Sequence, residues 1–179
     1  MPVAELINTA DLVAVIERMR AGSSYRVEDV AWEEYEQLLQ DLGEGAAVRV
    51  FYNQGELEII APAYHHERAK SVMHDLVTTL RDELRIKVIS LGSTTLKREL
   101  RAKGGEPDDA FYIQNVGHLV GREELDLKQD PPPDLVIEID RSSSSLNKFP
   151  IYAGLGVPEI WRVVNRRVQI WLLAGEHYE

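Results

Sequence analysis

The chain contains no cysteine, which excludes disulfide frameworks, thiolate metal centres and cysteine nucleophiles together. No apolar run approaches the roughly 18 residues that cross a bilayer as a helix. There is no Gly-x-x-x-x-Gly-Lys-Ser/Thr loop, and Gly154-Leu155-Gly156 lacks the third glycine of a dinucleotide turn. No serine stands in a Gly-x-Ser-x-Gly elbow. His65-His66-Glu67 opens like a zinc-protease helix, but Lys70 stands where the second histidine is needed. The opening residues, with Glu5 among them, lack the basic-then-apolar order of a secretion signal, so a cytoplasmic protein without membrane attachment is expected. Positive charge is the remaining shortage. Lys+Arg number 20 against 30 Asp+Glu, a formal charge of −10, and so acidic a surface does not coat itself in nucleic acid non-specifically. Local basic ground survives as Lys97, Arg98, Arg101 and Lys103, and again as Arg162, Arg166 and Arg167. Such clusters are solvated faces unless the fold aims them at phosphate.

What is present is enough for a real core: 179 residues, 44% of them hydrophobic. Residues 1–8 read as a leader. Leu12, Val15, Ile16 and Met19 fall at helical spacing within Thr9–Ala21, and Trp32, Tyr35, Leu39 and Leu42 mark a second short helix that Gly43 ends. Val48–Tyr52 and Leu57–Ile60 flank Asn53-Gln54-Gly55-Glu56 as a hairpin. Ala69, Val72, Met73, Leu76, Val77, Leu80 and Leu84 predict a long helix over Tyr64–Leu84 with that stripe buried. His66, at the head of the stripe, is expected to point toward the sheet. Strands are expected over 86–91, 94–98, 106–113 and 134–140, with Gly104-Gly105 in a basic loop. Ser142–Ser145 read as loop and helix cap, followed by a helix over 146–155 and a last hairpin around Asn165-Arg166. The order predicts an α/β fold with one mixed central sheet flanked by helices. We divide it into an N-terminal helical segment (1–44) and an α/β domain (45–179).

One strand stands apart. In Asp134-Leu135-Val136-Ile137-Glu138-Ile139-Asp140, the odd positions form an apolar face while the even ones carry three carboxylates. Acids in a central strand are costly unless a cation, a proton or water relieves them. Asp108 opens another strand behind Pro107, and if the two strands are neighbours, Asp108, Glu138 and Asp140 converge. Oxygen-only ligands of this kind suit Mg²⁺ or Mn²⁺. Such an ion lowers the pKa of a bound water and steadies charge on a phosphoryl group. A nearby lysine would complete the site.

At these residues the chain resembles a known group. Glu106-Pro107-Asp108 followed by Glu138-x-Asp140 is similar to the PD-(D/E)XK signature of restriction-endonuclease-like nucleases. Gly55-x-Leu57-Glu58-Ile59, Pro62 to Glu67, Pro132 to Ile139 and Tyr152-Ala153 through Trp161 extend the likeness to the small bacterial Uma-two family, over about residues 45–179. The resemblance implies a restriction-endonuclease-like core and a metal-dependent hydrolase of DNA phosphodiesters. It makes Asp108 the first metal ligand and Glu138 the second. The superfamily's lysine belongs two residues after Glu138, where this chain has Asp140. Lys148 is the natural replacement and Lys97 a second candidate. His66 and Glu67 match the family's helix start, and Glu58 matches as a packing residue. The candidate set is therefore Lys148, His66 and Glu138 for catalysis, and Asp108, Glu138 and Asp140 for Mg²⁺ or Mn²⁺. A homodimer is expected, joining the basic patches that DNA would meet. The competing reading is a catalytically silent nuclease-fold protein serving as a binding or assembly module, favoured by the acid at position 140 and the net charge.

Overall fold

The computed structural model describes residues 9–43, 45–122, 125–140 and 148–179. The expected leader at 1–8, the serine cap at 142–145 and the first helical positions 146–147 lie outside the described residues. The rest is a mixed α/β fold, as the pattern of elements requires, but its strands divide between two sheets where one was expected.

The smaller sheet is antiparallel. It contains β1 (Ser24–Val27), β2 (Arg49–Asn53), β3 (Glu56–Ile60), β5 (Leu96–Arg98) and β6 (Lys103–Gly105), in the order β1-β3-β2-β6-β5. The hairpin of β2 and β3 turns at Gln54-Gly55, both at positive φ, the backbone a two-residue turn demands. The larger sheet contains β4 (Ile89–Ser90), β7 (Asp109–Tyr112), β8 (Leu135–Asp140), β9 (Glu159–Val164), β10 (Arg167–Ala174) and β11 (His177–Tyr178). Its order is β11-β10-β9-β8-β7-β4, with β8 and β9 parallel and the other pairs antiparallel.

The helices fill the spaces the sheets leave. Helix α4 (Phe149–Leu155) lies between the sheets, where Ile151, Tyr152 and Leu155 pack with Phe51 and Leu96 of one and with Ala110, Val136 and Ile160 of the other. Helices α1 (Thr9–Ile16) and α2 (Trp32–Leu42) cover the outer face of the small sheet through Leu12, Tyr35 and Leu38. Helix α3 (Tyr64–Leu84) covers the outer face of the large one, where Met73 and Val77 meet Leu135, Ile137 and Ile139. The apolar face read from strand 134–140 is thus the face under α3, and its acidic row looks toward α4.

Several boundaries differ from expectation for physical reasons. Gly104 and Gly105 are a strand, not a loop: Tyr35 and Phe51 lie so close that a Cβ on Gly104 would sit 2.3 Å from the Tyr35 hydroxyl oxygen, and one on Gly105 2.8 Å from the Phe51 ring. Glycine there serves close packing. The strand expected over 86–91 shrinks to β4, Ile89 and Ser90 paired with Tyr112 and Phe111 of β7, with one further bond from the Leu91 N–H to the Ala110 carbonyl at 2.8 Å. The buried stripe of α3 is corrected most. Val72 and Leu84 are 60% and 63% exposed, and Leu76 and Leu80 are also exposed, since the sheet beneath α3 meets Met73 and Val77 and leaves the flank bare.

Replacing Gly104 by alanine therefore forces Tyr35 from its buried seat. The expected cost is about 1–3 kcal/mol of overpacking, read as a lower urea midpoint with an unchanged m-value, and a midpoint equal to wild type would show that Tyr35 has room to move.

Candidate active site

Glu138 is the centre. It is 1% exposed on the α4-facing side of β8, and both its oxygens are engaged from one helix. Lys148, immediately before α4, donates its ammonium to Oε2, and Tyr152, one turn on, donates its hydroxyl to Oε1. The spacing of four residues places both donors on one helix face. Pro150 stands near the start of α4, where a missing N–H costs nothing.

Asp108 sits astride Glu138. Its backbone N–H donates to the Ile137 carbonyl at 3.2 Å, and its Oδ2 accepts the Ile139 N–H at 2.7 Å. It grips β8 on both sides of the glutamate. His66 Nε2 lies 3.2 Å from the same Oδ2, so the histidine at the head of α3 does turn inward as its position in the helical pattern implies. Asp140, next along the acidic row, accepts from Arg162 Nε at 2.5 Å and lies 3.9 Å from the Lys148 ammonium. That ammonium also stands 4.3 Å above the centre of the Phe51 ring. Glu58, fully buried, shares Phe51's face of the small sheet through the pairing of Phe51 with Glu58.

Burial and mutual charge set the protonation states. Burial pushes the Glu138 carboxyl up to about 7, with Lys148 opposing and the Asp108 and Asp140 charges adding to it. Burial alone would lower Lys148, but Glu138, Asp108 and Asp140 outweigh it and hold the ammonium above the ordinary lysine range. Burial would likewise raise Asp108, yet the His66 hydrogen bond and the Lys148 charge keep it below the usual carboxylate value. His66 is opposed by burial and held above its ordinary value by the hydrogen bond and charge of Asp108. Burial first and Glu138 second keep the Tyr152 hydroxyl protonated.

The structure thus gathers Asp108, Glu138, Asp140, Lys148 and His66, and adds Tyr152 and Arg162, neither of which stood in the candidate set. Tyr152 carried a legible signal, one helical turn from Lys148. Arg162 was legible only as a member of a basic patch, because only the parallel register sets it opposite Glu138. Glu106 accepts from the Val50 N–H at 3.0 Å and from the Thr95 hydroxyl at 2.9 Å, pinning the small sheet beside the site. Asp134 closes a turn by accepting from Ile113, Asn115 and the Asn115 amide. Lys97 is drawn away to Glu36, while Arg98 and Lys103 bond Leu127 and Asn53, so three members of that basic cluster are turned to local partners. Among the described residues, no three His, Asp or Glu side chains form a ready cation cage.

Residues 32–179 match the Uma2 family, described as "putative restriction endonuclease". The chain belongs to the Uma2 family. No curated protein matches it significantly. The match covers the whole large sheet, all of the small sheet but β1, and every residue of the site, and it supports a nuclease-like function. In this Uma2 chain Asp108, at the entry to β7, lies beside Glu138 of β8, and Lys148 reaches Glu138 from the head of the helix between the sheets.

The raised values of Glu138 and His66 have the same sign of consequence. Each group holds its proton more tightly when folded, so its contribution is complete below the unfolded value and is lost as pH rises through the folded one. For Glu138 that window runs from 4.5 to about 7, and for His66 it begins at 6.5 and extends upward. Stability measured by urea unfolding is expected to fall across pH 5 to 8, by at most about 1.4 kcal/mol per pH unit for each group. Glu138→Gln should flatten the lower part of that slope and His66→Gln the upper part, whereas an equally steep profile in both variants would contradict the assignment.

Proposed function

We propose that this protein is a metal-dependent endonuclease that hydrolyses DNA phosphodiesters at the Asp108–Glu138 site. The observation that carries the reading is the buried pair of carboxylates, one on β8 and one at the entry to β7, with an ammonium held against the first. Two hard-oxygen donors suit Mg²⁺ or Mn²⁺, ions that take one or two carboxylates and keep several waters. Asp108 and Glu138 would hold the ion; Asp140, already bonded to Arg162, would stand beside them as a charge partner. When bound, the ion supplies a more acidic water and neutralises charge on the phosphoryl oxygens.

The chain's own groups do the remainder. Lys148 stays protonated at Glu138 and offers positive charge to an incoming phosphate. His66 orients Asp108, and Tyr152 orients Glu138 by fixing one of its oxygens. A second reading has one observation in its favour: both Glu138 oxygens are already occupied from α4. On that reading the same residues are a closed structural cluster, and the protein is a silent binding or assembly module.

One experiment separates the two. Supercoiled plasmid is incubated with the protein and Mg²⁺ or Mn²⁺, beside Glu138→Ala and Lys148→Ala. Nicking by wild type and a loss of roughly 10²-fold or more in each variant is the expected result, accompanied by a Mn²⁺-dependent rise in melting temperature that is larger at pH 8 than at pH 6. Nicking that survives in both variants removes the site, and no nicking with either metal overturns the enzyme in favour of the module.

A further inference from the structure

Among the described residues, water reaches the site from one end. The side chains of Glu138, Asp108 and Lys148 are 2%, 3% and 8% exposed, whereas those of His66, Asp140 and Arg162 are 15%, 11% and 26% exposed. These three lie where β8 finishes. A groove of about 1020 Å³ opens at the same end. Ile139, under α3, and Asp140, on the opposite face of β8, both line it, so it rounds the end of the strand. Arg68 from the head of α3 and Asn165-Arg166 from the turn between β9 and β10 line it too, and all three are exposed. Arg68 stands two residues after His66, about 3 Å along the helix axis. The histidine that meets Asp108 and the arginine therefore share one helix end.

Two observations say what these arginines meet. The first is pairing. Lys97, Arg98, Lys103 and Lys128 turn to acceptors within the chain. Arg68 and Arg166 meet no acceptor among the described residues, in a chain of formal charge −10. The one acid that lines the groove, Asp140, is met by Arg162 at 2.5 Å and by Lys148 at 3.9 Å, so the open end offers positive charge to an anion. The second is backbone. Asn165 and Arg166 have φ of 51° and 60°, the two-residue turn that asparagine followed by glycine makes best. Glycine takes the second position without strain and arginine does not. An arginine held there against its backbone preference argues for a task of its side chain.

We infer that Arg68 and Arg166 form a phosphate clamp, which holds backbone phosphates of one DNA strand beside the scissile one and leads that strand past Asp140 to the Asp108–Glu138 site. The clamp rests on the reading of this site as one that meets DNA. Neither arginine is bonded to Asp108 or Glu138, so its part in binding is measured without hydrolysis. Guanidinium forks suit the task because they meet phosphate oxygens bidentately. Contacts of this kind fix the position of a strand without reading its bases.

Fluorescence anisotropy of a labelled DNA duplex of about 20 base pairs, two helical turns, with Ca²⁺ in solution, tests it. Arg68→Ala and Arg166→Gly should each raise Kd about 10-fold and flatten the slope of log K against log salt by about 0.9. Duplexes of different sequence should be affected alike. Arg166→Gly should meanwhile hold or raise the urea midpoint, because glycine suits that turn, which separates a lost contact from a lost fold. Arg101→Ala, beside the small sheet, should leave Kd unchanged. Wild type that does not bind overturns the inference. So do arginine variants that bind as tightly as wild type, and so does an equal loss in Arg101→Ala. Plasmid nicking is scored apart: both losses in a protein that never nicks would support the clamp and remove only the hydrolase.

Discussion

The structure depends on holding a carboxyl group in the middle of a buried strand. Glu138 sits on β8 beneath a short helix, and taking its charge out of water costs several kcal/mol unless partners replace the water. Lys148 and Tyr152 are those partners. Helix α4 is seven residues long, too short to persist as an isolated helix. Its packing through Ile151, Tyr152 and Leu155, together with the ion pair to Glu138, fixes it between the two sheets. Because α4 also touches β2, β5 and β6, the same bond is a joint between the sheets. Removing one partner would leave a buried charge unpaired, a loss of about 3–5 kcal/mol, so the site and the fold share a residue at their centre.

The Glu106-Pro107-Asp108 triplet has a structural reason as well as a chemical one. Strand β6 of the small sheet ends at Gly105, and β7 of the large sheet begins at Asp109. The triplet is the whole crossover. Pro107 has no N–H to lose where the chain leaves one ladder for the other. Glu106 reaches back to the Val50 N–H, and Asp108 reaches forward to the Ile139 N–H, so each acid takes up a backbone donor that the crossover would leave without a partner. Acids in this pattern can be read as ligands or as splints, and here the geometry gives them the second role whether or not they also have the first.

How much of this was legible in sequence follows from how local each signal is. Helices α2 and α3 were readable to the residue, because glycine, proline and 3.6-residue periodicity mark them within a single window. The acidic face of β8 was readable because strand alternation is local too. The split into two sheets was not, since it depends on β2 choosing β6 as a neighbour, a choice that Gly104 and Gly105 make possible only because Tyr35 and Phe51 must lie against them. The α3 stripe misled for a related reason. Periodicity shows which helix positions are apolar, but whether another element covers them is a property of the sheet's width. Arg162 could be read only as part of a basic patch, since only the pairing of β8 with β9 brings it to the acids.

The missing strand lysine is resolved by charge, not by sequence position. Asp108, Glu138 and Asp140 are three acids in one cluster, and Lys148, Arg162 and His66 surround them as three bases, His66 being charged when protonated. The positive groups arrive from α4, β9 and α3, while the strand itself supplies only acid. A lysine at position 140 would therefore not repair the motif. It would deprive Arg162 of its carboxylate at 2.5 Å and set a second ammonium beside Lys148, now 3.9 Å from Asp140, where like charges at low dielectric repel strongly. With Lys148 already on Glu138, Asp140 supplies the carboxylate that Arg162 meets and balances the positive groups that converge on the cluster.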